Sequence, residues 1–598
     1  MRLRDTIICI LSLVLAASLL FTAGSQLDYI NAHRYRMKLT IYEPLKNAPP
    51  SLAFATVAMG AFRGLVVDIL WMRADRLKDQ GQFFDARQLA EWITTLQPRF
   101  GAVWEFHAWN MAYNISVTIP ASQPDQRWRW VKNGYELLRD QGIPLNPRCI
   151  ELYRELSRIF HHKIGAVSDD AHEYYKLQLA LAMQPLLDEG DEEHFKALAE
   201  APETWDRTTS DPNVAELIKA LKAADNTFTD KSDFTGNYLA LRQNPDKFEP
   251  AAFQVIDRFR GSKALKKFDI FAKAYQLRNV WKLDPLMMQH VNETYGPVEF
   301  DDPNKHLPLD WRHPSSHAIY WAVRGLQVAG KDEFSIEEAH TDRIVFHSLQ
   351  NLFRNGKIFI YSYKPSPDEL ADHSSPLIKM QGKRLFLRPD LRMFDSYNRV
   401  VLASIEKYRT IQPSTATSMQ TGHKNMLRNA VLSFYQAGHR KAAQRTYDQL
   451  RTLYPLPDFQ VPMVVYVRNR LGEELKDMGL HNAQEMVHTI LRESYFRYAL
   501  RDDDEAYALE KLAKEAYDRY QSMYPDDQRI DLPKFELMRY TSLQDFFGDT
   551  GYPLGLRQTL IDRIKIEKPE LARKFEEIEK KLVEKVEKRQ RDTSDGEE

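Results

Sequence analysis

Three hydrophobic patterns follow one another along the chain, and each predicts a different element. Near the start, the eighteen residues Thr6–Ala23 are almost all apolar. Eighteen residues at about 1.5 Å each nearly span a hydrocarbon core of about 30 Å, which predicts one N-terminal transmembrane helix. A cleaved signal peptide is the rival, with an apolar core of usually about 7–15 residues and an A-x-A-like end. Here the run ends Leu20-Phe21-Thr22-Ala23-Gly24-Ser25, a poor match because Phe21 stands where a small residue is wanted. A cut after Gly24 stays open. The uncleaved anchor is favoured, with Arg2, Arg4 and the amino terminus on its inner side. The ten residues after Ala23 hold no Lys or Arg, so the bulk of the chain is expected on the exported side. A second apolar stretch, Leu52 to Trp71, carries Arg63 and Asp68. Each charge would cost about 2.5–3.5 kcal/mol at bilayer depth, so a buried or membrane-proximal helix is expected instead.

A helical period takes over from there. Gly81, Ala86, Ala90 and Pro98 stand at offsets of five, four and eight. A tetratricopeptide repeat places a turn Gly, small residues and a closing Pro at this spacing. Ala lets two antiparallel helices approach closely, and Pro opens the next helix where no backbone donor is needed. Trp104 and Ala108 fall where the following repeat wants its Trp and its small residue. The pattern returns as Gly438, Ala443, Tyr447, Leu450 and Tyr454-Pro455, then seventy residues later as Ala513, Tyr517, Tyr520 and Tyr524-Pro525. Seventy is about two repeats of ~34 residues. A looser copy runs from Pro147, expected in a first helical turn, through Gly165 to Asp169-Asp170-Ala171, which would cap a helix.

The remainder departs from this period. Residues 186–260 are polar, with Pro202, Pro212, Pro245 and Pro250, and predict helices joined by long loops. IFIYSY and RLFL within 357–398 predict a small β-hairpin or irregular insert. From Pro569, Leu571, Phe575, Ile578, Leu582 and Val586 form an apolar stripe on a charged helix, and the final TSDGEE reads as disordered. The expected organisation is an anchor with its juxtamembrane segment (1–40), first tetratricopeptide-like repeats (41–190), a helical insertion (191–300), a non-repeat middle (301–398), second repeats (399–530) and C-terminal helices (531–598). The fold class is mainly α, a tetratricopeptide-like α-solenoid.

Composition narrows the chemistry. Eighty-two Lys+Arg against 83 Asp+Glu leave a net charge of −1, which argues against a nucleic-acid binder and names no nucleic-acid partner. Cys9 and Cys149 are too few for a disulfide framework or a Cys-rich zinc site. Gly325-Leu-Gln-Val-Ala-Gly330-Lys331-Asp332 nearly spells a phosphate-binding loop. It has Asp332 where a hydroxyl should hold Mg²⁺, and a helical pattern capped by Ser316 where a strand should precede. His313 and His317 are separated by Pro314, and His161, His162, Asp169, Asp170 and His172 lack metal-ligand spacing. Asp502–Glu505 lacks the Gly and Glu of a calcium loop and suits a helix start. Ser404-x-x-Lys407 stands without companion motifs. Trp104, Trp109, Trp128 and Trp130 suit inter-helix packing. No catalytic residue, cofactor or metal site is expected.

Several segments resemble a known group. AFRGLVVDILWMRADRLKDQG, WITTLQPRFGAVWEFHAWNMAYNIS, DWRHPSSHAIYWA, TDRIVFHSLQNLF and GHKNMLRNAVLSFYQAGHRKAA look like membrane-anchored, tetratricopeptide-like bacterial proteins. Some of these carry an "iron responsive element" label that no motif in this chain supports. The resemblance implies architecture and anchoring, and carries over no catalytic residues. By analogy with repeat arrays, the expected activity is protein–protein interaction at the cell envelope, with unidentified protein partners and the membrane held through Thr6–Ala23. The repeat register turns Glu105, Trp109 and Tyr113, and Asn425, Arg428, Tyr435 and Gln436, toward a binding groove, with packing under a neighbouring helix or the insert the open alternative for Tyr435 and Trp109. Leu427, Ala430, Val431 and Phe434 are left for packing. The rival reading is an enzyme with its site in residues 300–400, around Trp311-Arg312-His313.

Overall fold

The computed structural model describes residues 63–594 except 188–189, 231–232, 242–244, 301, 303, 329–334, 363–382, 477–479, 524–530, 550–551 and 553. A few single positions between 12 and 29 are described as well. The predicted anchor Thr6–Ala23, the stretch Leu52–Phe62, Gly330-Lys331-Asp332 and Tyr524-Pro525 therefore lie wholly or mostly outside the described residues. Among the described residues, no helix is long and apolar enough to cross a membrane. What is described is mainly α-helical. The chain divides into two compact units, Met1–Thr118 with Trp130–Glu155, and Ile119–Arg129 with Leu156–Glu598.

The first unit opens with a helix pair, α1 (Arg63–Asp79) and α2 (Phe83–Leu96). Gly81 joins them at φ +75°, a left-handed conformation that costs glycine nothing. Ala86 and Ala90 are buried, as close helix approach requires, and Val67, Ile93 and Leu96 cluster with Val103. On the opposite face of α1, Leu65, Ile69 and Met72 are exposed at helical spacing. Pro98 precedes α3 (Gly101–Trp109), and its carbonyl accepts the Trp104 indole N–H at 3.0 Å. The unit is completed by parts of α4 (Pro124–Leu137) and α5 (Ile150–Arg158). Pro147 stands in the turn ahead of α5 and not in its first helical turn as predicted. Four of the described helices run on into π-helical turns that no periodicity announced: Asn110–Ile115 after α3, Leu138–Gly142 after α4, Ile159–Ile164 after α5 and, further along the chain, Leu277–Trp281 after the helix Lys263–Gln276.

In the second unit, α6 (His172–Leu187) is followed by the polar segment, which is more helical than its composition suggests. It holds α7 (Glu192–Glu200), α8 (Trp205–Thr209), α9 (Pro212–Ala224), α10 (Phe234–Leu241), α11 (Pro250–Arg258), α12 (Lys263–Gln276) and α13 (Pro285–Tyr295). The prolines read as loop markers are helix starters: Pro212 and Pro250 each occupy the first position, where no N–H is needed. Asp211 caps α9 by accepting the Asn213 N–H at 3.0 Å. Val214, Leu217, Leu221, Phe228, Phe234 and Phe268 are buried in a shared core, and some of the links between these helices, such as 210–211 and 259–262, are short.

The middle contributes α14 (Pro314–Val328), α15 (Ile336–Asn355) and an antiparallel hairpin of β1 (Lys357–Ser362) and β2 (Lys383–Arg388), with Lys357 opposite Arg388 and Ser362 opposite Lys383. Ser316 is not the cap of α14. It lies inside the first turn and donates its hydroxyl to the Asp310 carbonyl at 2.7 Å. Then come α16 (Phe394–Ile411), α17 (Pro413–Gln436) and α18 (Arg440–Leu453). Gly438 turns α17 into α18 at φ +81°. Leu427, Ala430, Val431 and Phe434 are buried, as are Ala443, Tyr447 and Leu450 facing them. Helix α17 begins at Pro413 and carries these packing residues in its second half.

The later copy is stretched. After α19 (Met463–Lys476), α20 (Leu480–Ala499) meets α21 (Asp503–Met523) at Arg501, φ +64°. Ala513 and Tyr520 are buried, but the turn lies twelve residues before Ala513, against five between Gly438 and Ala443. Helices α22 (Phe535–Gly548), α23 (Leu554–Glu567) and α24 (Pro569–Ser594) close the chain. Leu571, Phe575 and Ile578 pack their stripe against the cluster that α20 to α23 build. Thr593 and Ser594 extend α24 and do not belong to a disordered tail.

Candidate functional site

The predicted groove residues fall in both units. In the first, Glu105 forms an ion pair with Arg154 at 2.5 Å. Trp109 and Tyr113 stack with centroids 6.3 Å apart, where α3 enters its π-helical turn. In the second, Asn425 is exposed, while Arg428 and Gln436 are half-buried. Burial raises the pKa of the Tyr466 phenol, and the nearby Arg428 guanidinium partly offsets this. Tyr435 packs against the C-terminal cluster and carries the Arg440 guanidinium 3.4 Å from its ring centroid. Tyr435 is thus engaged in packing, whereas Asn425 is open.

A more chemical site is built from the π-helical turn Ile159–Ile164, α6, α15 and β2. The π-helical turn after α5 offsets His161, and Gly165 ends it where a Cβ would lie 2.6 Å from the His161 carbonyl. Asp169 then opens α6, accepting from the Ala171 N–H at 2.9 Å, the Arg127 guanidinium at 3.0 Å and the Lys163 ammonium at 2.5 Å. One turn into α6, Lys176 is only 2 % exposed. Its Nζ lies 2.8 Å from the Ala166 carbonyl and 2.9 Å from His172 Nδ1. Helix α15 presents His347, Asn351 and Arg354 at i, i+4 and i+7. His347 stacks on His161, and the Ser348 hydroxyl lies 3.1 Å from His161 Nδ1. Leu385 and Leu387 of β2 complete a cavity of about 430 Å³.

Burial sets the charge state of this site. It pushes the Lys176 ammonium down to about 8. It holds His161 down to about 4, helped by the neighbouring His347, and lowers His172 and His347 as well. The imidazoles are therefore neutral near pH 7, and Lys176 and Arg354 supply the positive charge. Behind the cavity, His313 is fully buried and held down to about 3. Its Nδ1 accepts the Ser315 N–H at 3.1 Å, while its Nε2 has no hydrogen-bond partner among the described residues.

The enzyme reading pointed one helix end away, to Trp311-Arg312-His313. A second cavity of about 440 Å³ does open there. It is bordered by two copies of one motif. In Asp310-x-Arg312 and Asp390-x-Arg392, the carboxylate takes both Nε (2.9 Å in each) and an Nη2 (2.7 and 3.0 Å) of its own Arg. Trp311 is buried and donates its indole N–H to Asn292 at 2.9 Å. These carboxylates are neutralised in place, which makes the motif a pair of structural clasps at the entries to α14 and α16.

Sequence reasoning singled out His161 and His172 but missed Lys176, His347 and Arg354. The i, i+4, i+7 spacing along HSLQNLFRN was the one signal available for the last two. No protein-family model matches the chain, and no curated protein matches it.

Proposed function

We propose that the chain is a tetratricopeptide-like helical scaffold, tethered to a membrane by Thr6–Ala23 with its bulk on the exported side, that holds protein partners along α17 and the helices beside it. One observation carries this reading. In the pair α17–α18, one face is fully committed to packing through Ala430, Phe434, Ala443 and Tyr447, while Asn425, Arg428 and Gln436 keep some exposure on another. A repeat array frees such a face for binding because its core is closed by neighbouring repeats. The exposed Leu65, Ile69 and Met72 of α1 suit a place beside a lipid surface.

A second reading, an enzyme acting on a ligand in the middle of the chain, draws on the two cavities. The clasped carboxylates beside Trp311 weaken it there, since neither Asp310 nor Asp390 is available as a general base. The test is co-purification from detergent-solubilised membranes of the full chain and of an Asn425→Glu, Arg428→Glu variant. The scaffold reading expects a specific partner with the parent chain and its loss in the variant, at unchanged helicity. Retention of the partner by the folded variant would move the binding face elsewhere.

A further inference from the structure

We propose that the cavity between the π-helical turn Ile159–Ile164, α6, α15 and β2 binds a small organic anion, its oxyanion head held by Lys176 and Arg354 and its apolar body lying against Leu385 and Leu387. Three observations converge on this. First, Lys176 is buried, yet it makes no ion pair among the described residues. A buried charge is ordinarily paired. An ammonium has three donors, and the Ala166 carbonyl and His172 Nδ1 take two of them. The third is left for a ligand.

Second, the other lining groups fit an anion and not a cation. Arg354 is exposed and free of ion pairs among the described residues. The Asn351 amide bonds the Ser315 hydroxyl at 3.0 Å, and the Asn355 amide bonds Asn351 at 3.0 Å, which fixes these polar side chains in place. Glu173, exposed, is the one carboxylate on the lining among the described residues. Burial lowers the pKa of Lys176, the Glu173 carboxylate offsets this only in part, and an arriving anion would raise it further.

Third, about 430 Å³ is far more than a bare phosphate fills and lies within the usual range of small-molecule sites. Ala166, Val167, Leu385 and Leu387 make much of the wall apolar. A ligand that uses the whole space therefore has a carboxylate or phosphate at one end and a short apolar body. This proposal does not depend on the scaffold reading, and either can fail alone.

The test is isothermal titration of the full-length protein in detergent with hexanoate, monobutyl phosphate, inorganic phosphate and hexan-1-ol. The variants are Lys176→Met, Lys176→Arg and Arg354→Gln. The proposal expects saturable binding of hexanoate or of monobutyl phosphate, and which one binds decides between the two heads. Loss of a charge-assisted contact should weaken binding about tenfold or more in Lys176→Met and Arg354→Gln, with partial retention in Lys176→Arg. Arg354 is exposed, so Arg354→Gln keeps the test valid should Lys176→Met fail to fold. Three results would each overturn the proposal: no binding of either amphipathic anion at millimolar concentration, equal binding of hexan-1-ol, or unchanged affinity in folded Arg354→Gln.

Discussion

Lys163 and Asp169 lie 2.5 Å apart with both side chains almost wholly out of water, and the Arg127 guanidinium reaches the same carboxylate at 3.0 Å. The Tyr175 hydroxyl and the Ala171 N–H fill the remaining acceptor positions. This five-way junction ties the segment Ile119–Arg129 to the π-helical turn and fixes where α6 starts, and thereby where Lys176 stands. Removing one partner of a buried ionic cluster strands the others, at a cost of about 3–5 kcal/mol. Asp169→Asn should therefore lower the thermal stability of the full chain markedly. Unchanged melting would mean the junction contributes nothing net.

Ala443 is fully buried where α18 meets α17, with Tyr447 and Leu450 one and two turns on. Ala443→Leu should overpack this contact by about 1–3 kcal/mol and bring forward the onset of thermal unfolding. An onset equal to that of the parent chain would contradict the close helix contact.

Acid should weaken the fold from an identifiable source. Burial holds His161 and His423 down to about 4 and His313 down to about 3, against an ordinary value of 6.5. These groups stay neutral when folded and take up protons when unfolded. Their stabilising contribution is thus complete above pH 6.5 and is lost as pH falls below it. For His313 alone the loss by pH 5 is about 2 kcal/mol. Urea unfolding at pH 7.5, 6 and 5 should show progressive loss, smaller in His313→Gln. A pH-independent midpoint would contradict neutral burial.

Topology can be read in intact cells. A reporter active only outside the cytosol, fused after Glu598, should be active, because Arg2 and Arg4 precede the apolar run and no Lys or Arg follows it for ten residues. Activity of a cytosol-only reporter would reverse the orientation.

What the sequence revealed and what it hid have physical causes. The α17–α18 turn was legible because Gly438 must take φ +81°, and only glycine advertises that. The α20–α21 turn uses Arg501 in the same left-handed region, so nothing in its side chain marked it, although the acids from Asp502 did mark the helix start that follows. The prolines of 191–300 were seen, but a Pro that starts a helix and one that interrupts a loop look alike without the capping Asp211 in view. The cavity was hidden for another reason. His161 reaches it through a π-helical turn, which breaks the periodicity, and it meets His347 across 186 positions of chain. The partners of Glu105 and Tyr435, Arg154 and Arg440, come from outside their own helices, so no spacing within one helix announced them.

The most direct test of the central claim is site-specific photocrosslinking in native membranes. A photoreactive residue at Asn425 is compared with one at Ile566, which is 79 % exposed on α23 and far from α17 in sequence. The scaffold account predicts a discrete protein adduct from position 425 that disappears with Arg428→Glu, and none of the same mass from 566. Identical adducts from both positions, or an adduct at 425 indifferent to Arg428→Glu, would contradict it.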